Sequence, residues 1–271
     1  MSQELKFVLK IEGGEADNHR LNLYNASKSM HGLARALAIS THSLISNGEI
    51  RHRVDTIPDV QFYMYPGQKG SYIEIVSIVF SDPAVQSIGS SVLGAAFWDM
   101  INFSWRHATG TSPEPNHIRN KKIIKEKDEF ANEIADALEK PMQDLHSLIQ
   151  EDQRVKIQIK KPKGEVIIEL NVDTYNYVST VDEGKIELNL LGNVTKINII
   201  SGYGRFYDIS QEKTIPFSLS KDMTTAKKGI LTASLHYAGQ RAEGKISIDA
   251  RVIKDRVGRV KRYIIVDARN S

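Results

Sequence analysis

Apolar spacing divides the chain into a helical first half and a strand-rich second half. Residues 5–11 (Leu-Lys-Phe-Val-Leu-Lys-Ile) read as a first strand ended by Gly13-Gly14. From 23 to 46 the apolar residues Ala26, Met30, Leu33, Leu37, Leu44 and Ile45 recur at helical spacing, and Asn47-Gly48 supplies a stop. Val60, Phe62 and Met64 then alternate with Gln61, Tyr63 and Tyr65. Pro66-Gly67-Gln68-Lys69-Gly70 is a turn, and residues 72–79 complete a hairpin.

Asp82-Pro83 starts a second helix, with Asp as cap and Pro at the first helical position. Residues 84–105 carry no charge before Asp99 and are dense in small residues: Ser87, Gly89, Ser90, Ser91, Gly94, Ala95 and Ala96. The aromatic end holds Phe97, Trp98, Phe103 and Trp105. Small residues let helices approach closely. Residues 109–116 form a loop. Ile123, Phe130, Ile134, Leu138, Leu145 and Ile149 then outline a long amphipathic helix that Pro141 kinks or divides.

From Val155 the period becomes two. Strands are predicted over 155–160, 165–170, 185–191, 194–200, 205–209, 215–219, 245–253 and 259–267, with one helix over 223–237 and a turn at Lys254-Asp255-Arg256-Val257-Gly258. The fold class is therefore α+β. A helix-rich domain with a small antiparallel sheet (1–108) is closed by a loop and connector helix (109–152). An antiparallel β domain with one helix (153–271) follows, as a curled sheet or partly open barrel.

Composition is that of a globular protein, 41% hydrophobic and 25% charged. Absence of cysteine excludes disulfides, thiolate metal sites and cysteine nucleophiles. No apolar stretch reaches the roughly 18 residues of a membrane span. The N-terminal residues lack a basic segment followed by an apolar core, so the expectation is a cytoplasmic, bacterial-type protein.

Charge is unevenly placed. Basic and acidic residues number 9 and 10 in residues 1–108, 6 and 10 in 109–152, and 21 and 13 in 153–271. The last region carries +8 and is expected to face an anionic partner.

Catalytic patterns fail one by one. Gly89 and Gly94 have the glycine spacing of a phosphate loop, but Ala95-Ala96 stands where Lys-Ser/Thr would contact phosphate and magnesium. Ser90 and Ser91 lack the nucleophile elbow, since Leu93 replaces its last glycine. The eight histidines form no metal signature. His31, Arg35 and His42 share one face of the first helix, a polar or partner-contact stripe, and the neighbouring Gly32 permits close packing. Glu74 is expected to face solvent, and Asp99 to form a structural ion pair with Arg106 or His107. No catalytic residue, metal or cofactor is assigned.

The basic region offers more. Its terminal hairpin carries Arg251, Lys254, Arg256, Arg259, Lys261 and Arg262, groups that neutralise phosphates. Upstream, Ser201-Gly202-Tyr203-Gly204-Arg205-Phe206-Tyr207 sets aromatics beside an arginine. Tyr203 and Phe206 are expected to stack bases with Arg205 between them. Arg205 also interrupts the RNA-recognition signature, so that family is not assigned. The expected function is non-enzymatic binding or regulation, with the basic β domain contacting nucleic acid or another phosphate-bearing ligand. The alternative is a conditional toxin-like or defence effector that assembles as a homo-oligomer, or inserts in membrane, through helix 84–105.

Overall fold

In the first strand, β1 (Gln3–Glu12), Phe7, Leu9 and Ile11 are wholly buried while Glu4 and Lys6 remain exposed. That alternation seats one strand face on a core. The computed structural model describes residues 3–54, 56–68, 72–111, 113–127, 130–179, 185–239, 244–256 and 258–271. It contains two compact units, Met1–Val178 and Ser179–Ser271.

In the first unit β1 is the central strand of an antiparallel sheet ordered β2-β3-β1-β4-β5. The others are β2 (Val60–Gln68), β3 (Tyr72–Phe80), β4 (Lys156–Lys160) and β5 (Val166–Leu170). Leu9 lies opposite Glu74 on one side and Ile159 on the other. The expected hairpin is therefore β2–β3. Lys69 and Gly70 of its turn fall outside the described residues.

The division expected after residue 152 falls instead after Val178. Strands β4 and β5, read as the opening of the basic domain, complete the first sheet beside β1. Their period of two fixes which side chains share a face but says nothing about which strand lies alongside. With that boundary the second unit holds 16 basic and 10 acidic residues, a net +6.

Helix α1 (Leu23–Ile45) matches its predicted span. The helix expected over 84–105 is two: α2 (Pro83–Gln86) and α3 (Ser90–Ala108), separated where Gly89 adopts φ +67°. The long amphipathic segment is likewise divided, into α4 (Ile118–Glu126), α5 (Phe130–Leu145) and α6 (Ser147–Glu151). Pro141 lies inside α5, so the breaks fall elsewhere. A short α7 (Val172–Val178), absent from the sequence reading, ends the unit.

The aromatic residues of α3, with Gly94 and Ala96, serve this unit's own core, while Ser90, Ser91 and Ala95 are exposed. Gly94, Ala96, Phe97, Met100, Phe103 and Trp105 are all buried. Trp105 Nε1 donates to Ser40 Oγ at 3.0 Å, and Ser104 Oγ donates to the Met100 carbonyl at 2.7 Å. Among the described residues no helix is long and apolar enough to cross a membrane.

Two residues set the helix packing. A Cβ at Gly32 would lie 2.4 Å from Leu145 N and 2.6 Å from Pro141 O, so α1 and α5 meet backbone to backbone. His146, between α5 and α6, is fully buried. Its Nδ1 donates to the Met142 carbonyl at 2.6 Å, and Nε2 is hydrogen-bonded to Thr174 Oγ1 at 2.8 Å. Burial lowers its pKa to about 4, against a smaller opposing effect of the Met142 bond.

The second unit is a closed five-stranded barrel ordered β10-β8-β7-β6-β9, with β9 pairing back to β10. Its strands are β6 (Ile186–Ile197), β7 (Tyr203–Asp208), β8 (Lys213–Leu219), β9 (Ile246–Lys254) and β10 (Val260–Asn270). Helix α8 (Thr225–Gly239) connects β8 to β9 and buries Leu231 in the barrel core. All pairings are antiparallel except β8 with β10. The two strands expected over 185–191 and 194–200 are the single strand β6, bent by bulges and by Asn189 at φ +58°.

Gly32→Ala should destabilise the first unit by roughly 1–3 kcal/mol through overpacking. Gly229→Ala, at a helical position with open space around it, should instead stabilise the second by about 0.5–1 kcal/mol. Urea unfolding of both variants checks the opposite signs. A second expectation concerns pH. The folded His146 pKa lies below its unfolded value, so its contribution is complete above about pH 6.5 and lost as pH falls toward 4. The stability gap between the unsubstituted protein and His146→Gln should therefore shrink by roughly 3 kcal/mol from pH 7 to pH 4 in urea titrations.

Candidate nucleic-acid interface

Strand β7 is shaped by a glycine. A Cβ at Gly204 would lie 2.4 Å from both the Phe217 ring and the Lys196 carbonyl, so this position must point inward and bare. The alternation then fixes the rest of the strand. Phe206 and Asp208 turn inward, while Tyr203, Arg205 and Tyr207 turn outward. The three outward residues form an aromatic–cation–aromatic stripe with roughly 6.7 Å between successive positions.

This geometry corrects one expected contact. Phe206 is 0% exposed and packs edge-on against Tyr263, with ring centroids 6.4 Å apart. It fills the barrel and cannot stack a base. The aromatic that joins Tyr203 and Arg205 is Tyr207, which is 38% exposed. Sequence reasoning passed over it, although Tyr203, Arg205 and Tyr207 share the same parity.

Lateral neighbours extend the stripe. Arg205 lies opposite Pro216 on β8 and Lys196 on β6. Strand β10 runs parallel to β8 with Tyr263 beside Phe217, which brings the preceding Arg262 alongside Pro216. Neighbouring strands are roughly 4.8 Å apart. Lys196, Arg205 and Arg262 therefore form a short row of cations across the strands, crossing the tyrosine stripe at its centre.

The hairpin cations have different tasks. Lys254 pairs with Glu187 at 3.4 Å. Arg259 Nε donates to Asp255 Oδ2 at 2.7 Å and its backbone N–H to Asp255 Oδ1 at 2.8 Å. The Asp255 side chain is fully buried, so Arg259 is part of the turn's construction. Arg256 is exposed in that turn, beside Val257, which lies outside the described residues. Arg251 on β9 and Lys261 on β10 are part-buried.

One buried acid organises the barrel wall. Asp208 Oδ1 accepts from the Ser210 and Gln211 N–H groups and from Ser210 Oγ, and Oδ2 accepts from the Tyr263 hydroxyl at 2.5 Å. Burial opposes the Asp208 charge, but these donors outweigh it and lower its pKa. Burial, followed by the adjacent Asp208, raises the Tyr263 pKa well above the usual tyrosine range, so the hydroxyl remains the donor.

Other flagged residues hold structure. Asp99 does not pair with Arg106 or His107 in the expected way. Its carboxylate accepts from the Asn116 and His117 N–H groups and from Asn120 Nδ2, tying the loop before α4 to α3. Glu74 is buried on the core-facing side of β3, because it registers with Leu9. From the histidine stripe, Arg35 donates to the His52 carbonyl and His42 Nδ1 contacts the Glu49 carbonyl. The stripe thus contacts the chain's own following loop.

A cleft of about 630 Å³ in the first unit is lined by Arg20, Asn22, Glu151 and Arg154, among others. Its charges are internally matched: Arg20 pairs with Glu15, and Arg154 holds Asp152 at a pKa of about 2. Among the described residues no group of three or more histidines and carboxylates is placed to hold a metal ion.

Arg259→Ala should destabilise the barrel by about 1–3 kcal/mol, because it strips a donor from the buried Asp255 carboxylate. Thermal unfolding of this variant beside the unsubstituted protein checks the loss.

No curated protein and no solved structure matches the chain. Residues 187–269, within the second unit, match a family of unknown function (DUF7947). Residues 7–179, nearly the whole first unit, match the domain of unknown function DUF7946. Since that match spans more than half of the 271 residues, the chain belongs to the DUF7946 family.

Proposed function

We propose that the barrel unit binds nucleic acid through the outer face of β6, β7 and β8. The observation that carries this reading is the Tyr203–Arg205–Tyr207 stripe crossed by the row of Lys196, Arg205 and Arg262. Aromatic faces accept bases by stacking, and flanking cations neutralise the phosphates between them. Aliphatic and aromatic side chains alone would serve a protein partner equally well. The cations at the centre of the stripe favour a polyanion.

Topology supports the same face. Counted within the unit, the strands follow the cycle 1-2-3-5-4-1, with the third and fifth parallel and a helix between the third and fourth. That order is also the order of oligonucleotide- and oligosaccharide-binding barrels, whose ligands lie over strands two and three. Those strands correspond to β7 and β8 here. The likeness is one of fold and lends weight by analogy. The net +6 of the unit adds long-range attraction for a polyanion.

Fluorescence anisotropy with labelled oligonucleotides tests the reading. Binding should be measurable at about 50 mM salt and weaken steeply toward 0.5 M. Arg205→Glu should weaken it tenfold or more and flatten the salt dependence, with a slope reduced by about one. Tyr207→Ala should cost about 1–3 kcal/mol of binding free energy. Unchanged affinity in both folded variants would exclude this face.

A further inference from the structure

The turn joining β6 to β7 is held by its own hydrogen bonds. Asn198 Oδ1 accepts from the N–H groups of Ile200 at 2.9 Å and Ser201 at 3.2 Å. The Asn198 carbonyl accepts from Gly202 N–H, and Asn198 N–H donates to the Tyr203 carbonyl, both at 2.8 Å. Gly202 closes the turn at φ +76°, in the left-handed region that suits glycine. On this fixed turn Ile200 is 99% exposed and Ile199 48%. A β-branched aliphatic side chain placed wholly in water gains nothing for folding.

The turn leads directly into Tyr203, the first residue of the outward stripe. The opposite end of the barrel carries the β9–β10 hairpin turn. Strand β9 runs antiparallel to β6, with Arg251 beside Ile186 at the start of β6, so the hairpin turn carrying Arg256 and Arg259 lies at the far end of that strand. The face itself therefore sets an apolar turn next to the cross-strand row of Lys196, Arg205 and Arg262.

A nucleic-acid single strand offers both complements at once, since its base faces are apolar and its phosphates anionic. A duplex buries the base faces in its stack and exposes mainly phosphate. We infer that Ile200, together with Tyr203, forms an apolar jaw that packs on an unstacked base, and that this jaw makes the barrel select single strands over duplexes. Apolar side chains of this kind act as wedges against bases elsewhere, and unstacked bases are the usual targets of aromatic platforms. The inference rests on the nucleic-acid reading of the barrel and specifies the ligand class.

The experiment measures the full chain and Ile200→Ser against an unstructured oligo-dT and a duplex of equal length, both at low salt. Because Ile200 contacts solvent almost alone, its substitution should leave thermal unfolding unchanged. Expected is tighter binding of the single strand by the unsubstituted protein, about tenfold loss of that affinity in Ile200→Ser, and unchanged duplex binding. Equal single-strand affinity in the two proteins, or a preference of the unsubstituted protein for duplex, overturns the jaw while leaving the nucleic-acid reading intact. Absence of binding to either oligonucleotide overturns that reading and the jaw with it. Retention on anionic lipid vesicles that Ile200→Ser abolishes, without any change in single-strand binding, assigns the turn to a membrane surface and also overturns the inference.

Discussion

The hydrogen bond from the Tyr263 hydroxyl to Asp208 sets the inside and outside of the barrel. It joins β10, the last strand, to the end of β7, and the parallel pairing of β10 with β8 closes the sheet on itself. Closure gives every strand one buried and one outward side. Phe206 is then committed to the interior, while Tyr203, Arg205 and Tyr207 are committed to the surface. The acid is satisfied by four donors, so a charged group can remain inside without an unpaired oxygen. The candidate site is therefore a consequence of barrel closure, because the cations meet only when β10 returns beside β8.

The first unit depends on a different constraint, the direct backbone approach of α1 and α5 at Gly32. With the two helices that close, the aromatic residues of α3, together with Gly94 and Ala96, pack in the unit's core, while Ser90, Ser91 and Ala95 are exposed. The same layer buries His146 between the Met142 carbonyl and the Thr174 hydroxyl, and burial lowers its pKa. The cleft of this unit is lined by residues of both charge signs. It pairs each arginine with a neighbouring carboxylate. The candidate site lies on the second unit, where cations and tyrosines share one outward face.

Legibility of the site varied with the kind of information each residue carried. Gly32 was readable as a close-packing position because a glycine inside a strongly periodic helix has few other uses. The cationic character of the terminal hairpin was readable from composition. Its internal division was not, since the Arg259 contact with buried Asp255 requires the turn to be folded. Tyr207 was obscured by an adjacent aromatic: both Phe206 and Tyr207 suit a strand, and only the parity imposed by Gly204 tells which one faces outward. Ile200 carried no signal, because a lone isoleucine near strand residues reads as part of the strand.

Local periodicity by itself determined the α+β class, the first strand, the first helix, the β2–β3 hairpin and the strand-rich character of the second half. These follow from interactions between residues a few positions apart, which a one-dimensional pattern records. Tertiary structure alone decided that β4 and β5 complete the first sheet, that the units divide after Val178, and that Lys196, Arg205 and Arg262 lie in one row. Each of these is a pairing between strands distant in sequence. The alternation along a strand fixes its two faces equally well whichever neighbour it takes, so the partner is chosen only when the whole sheet closes.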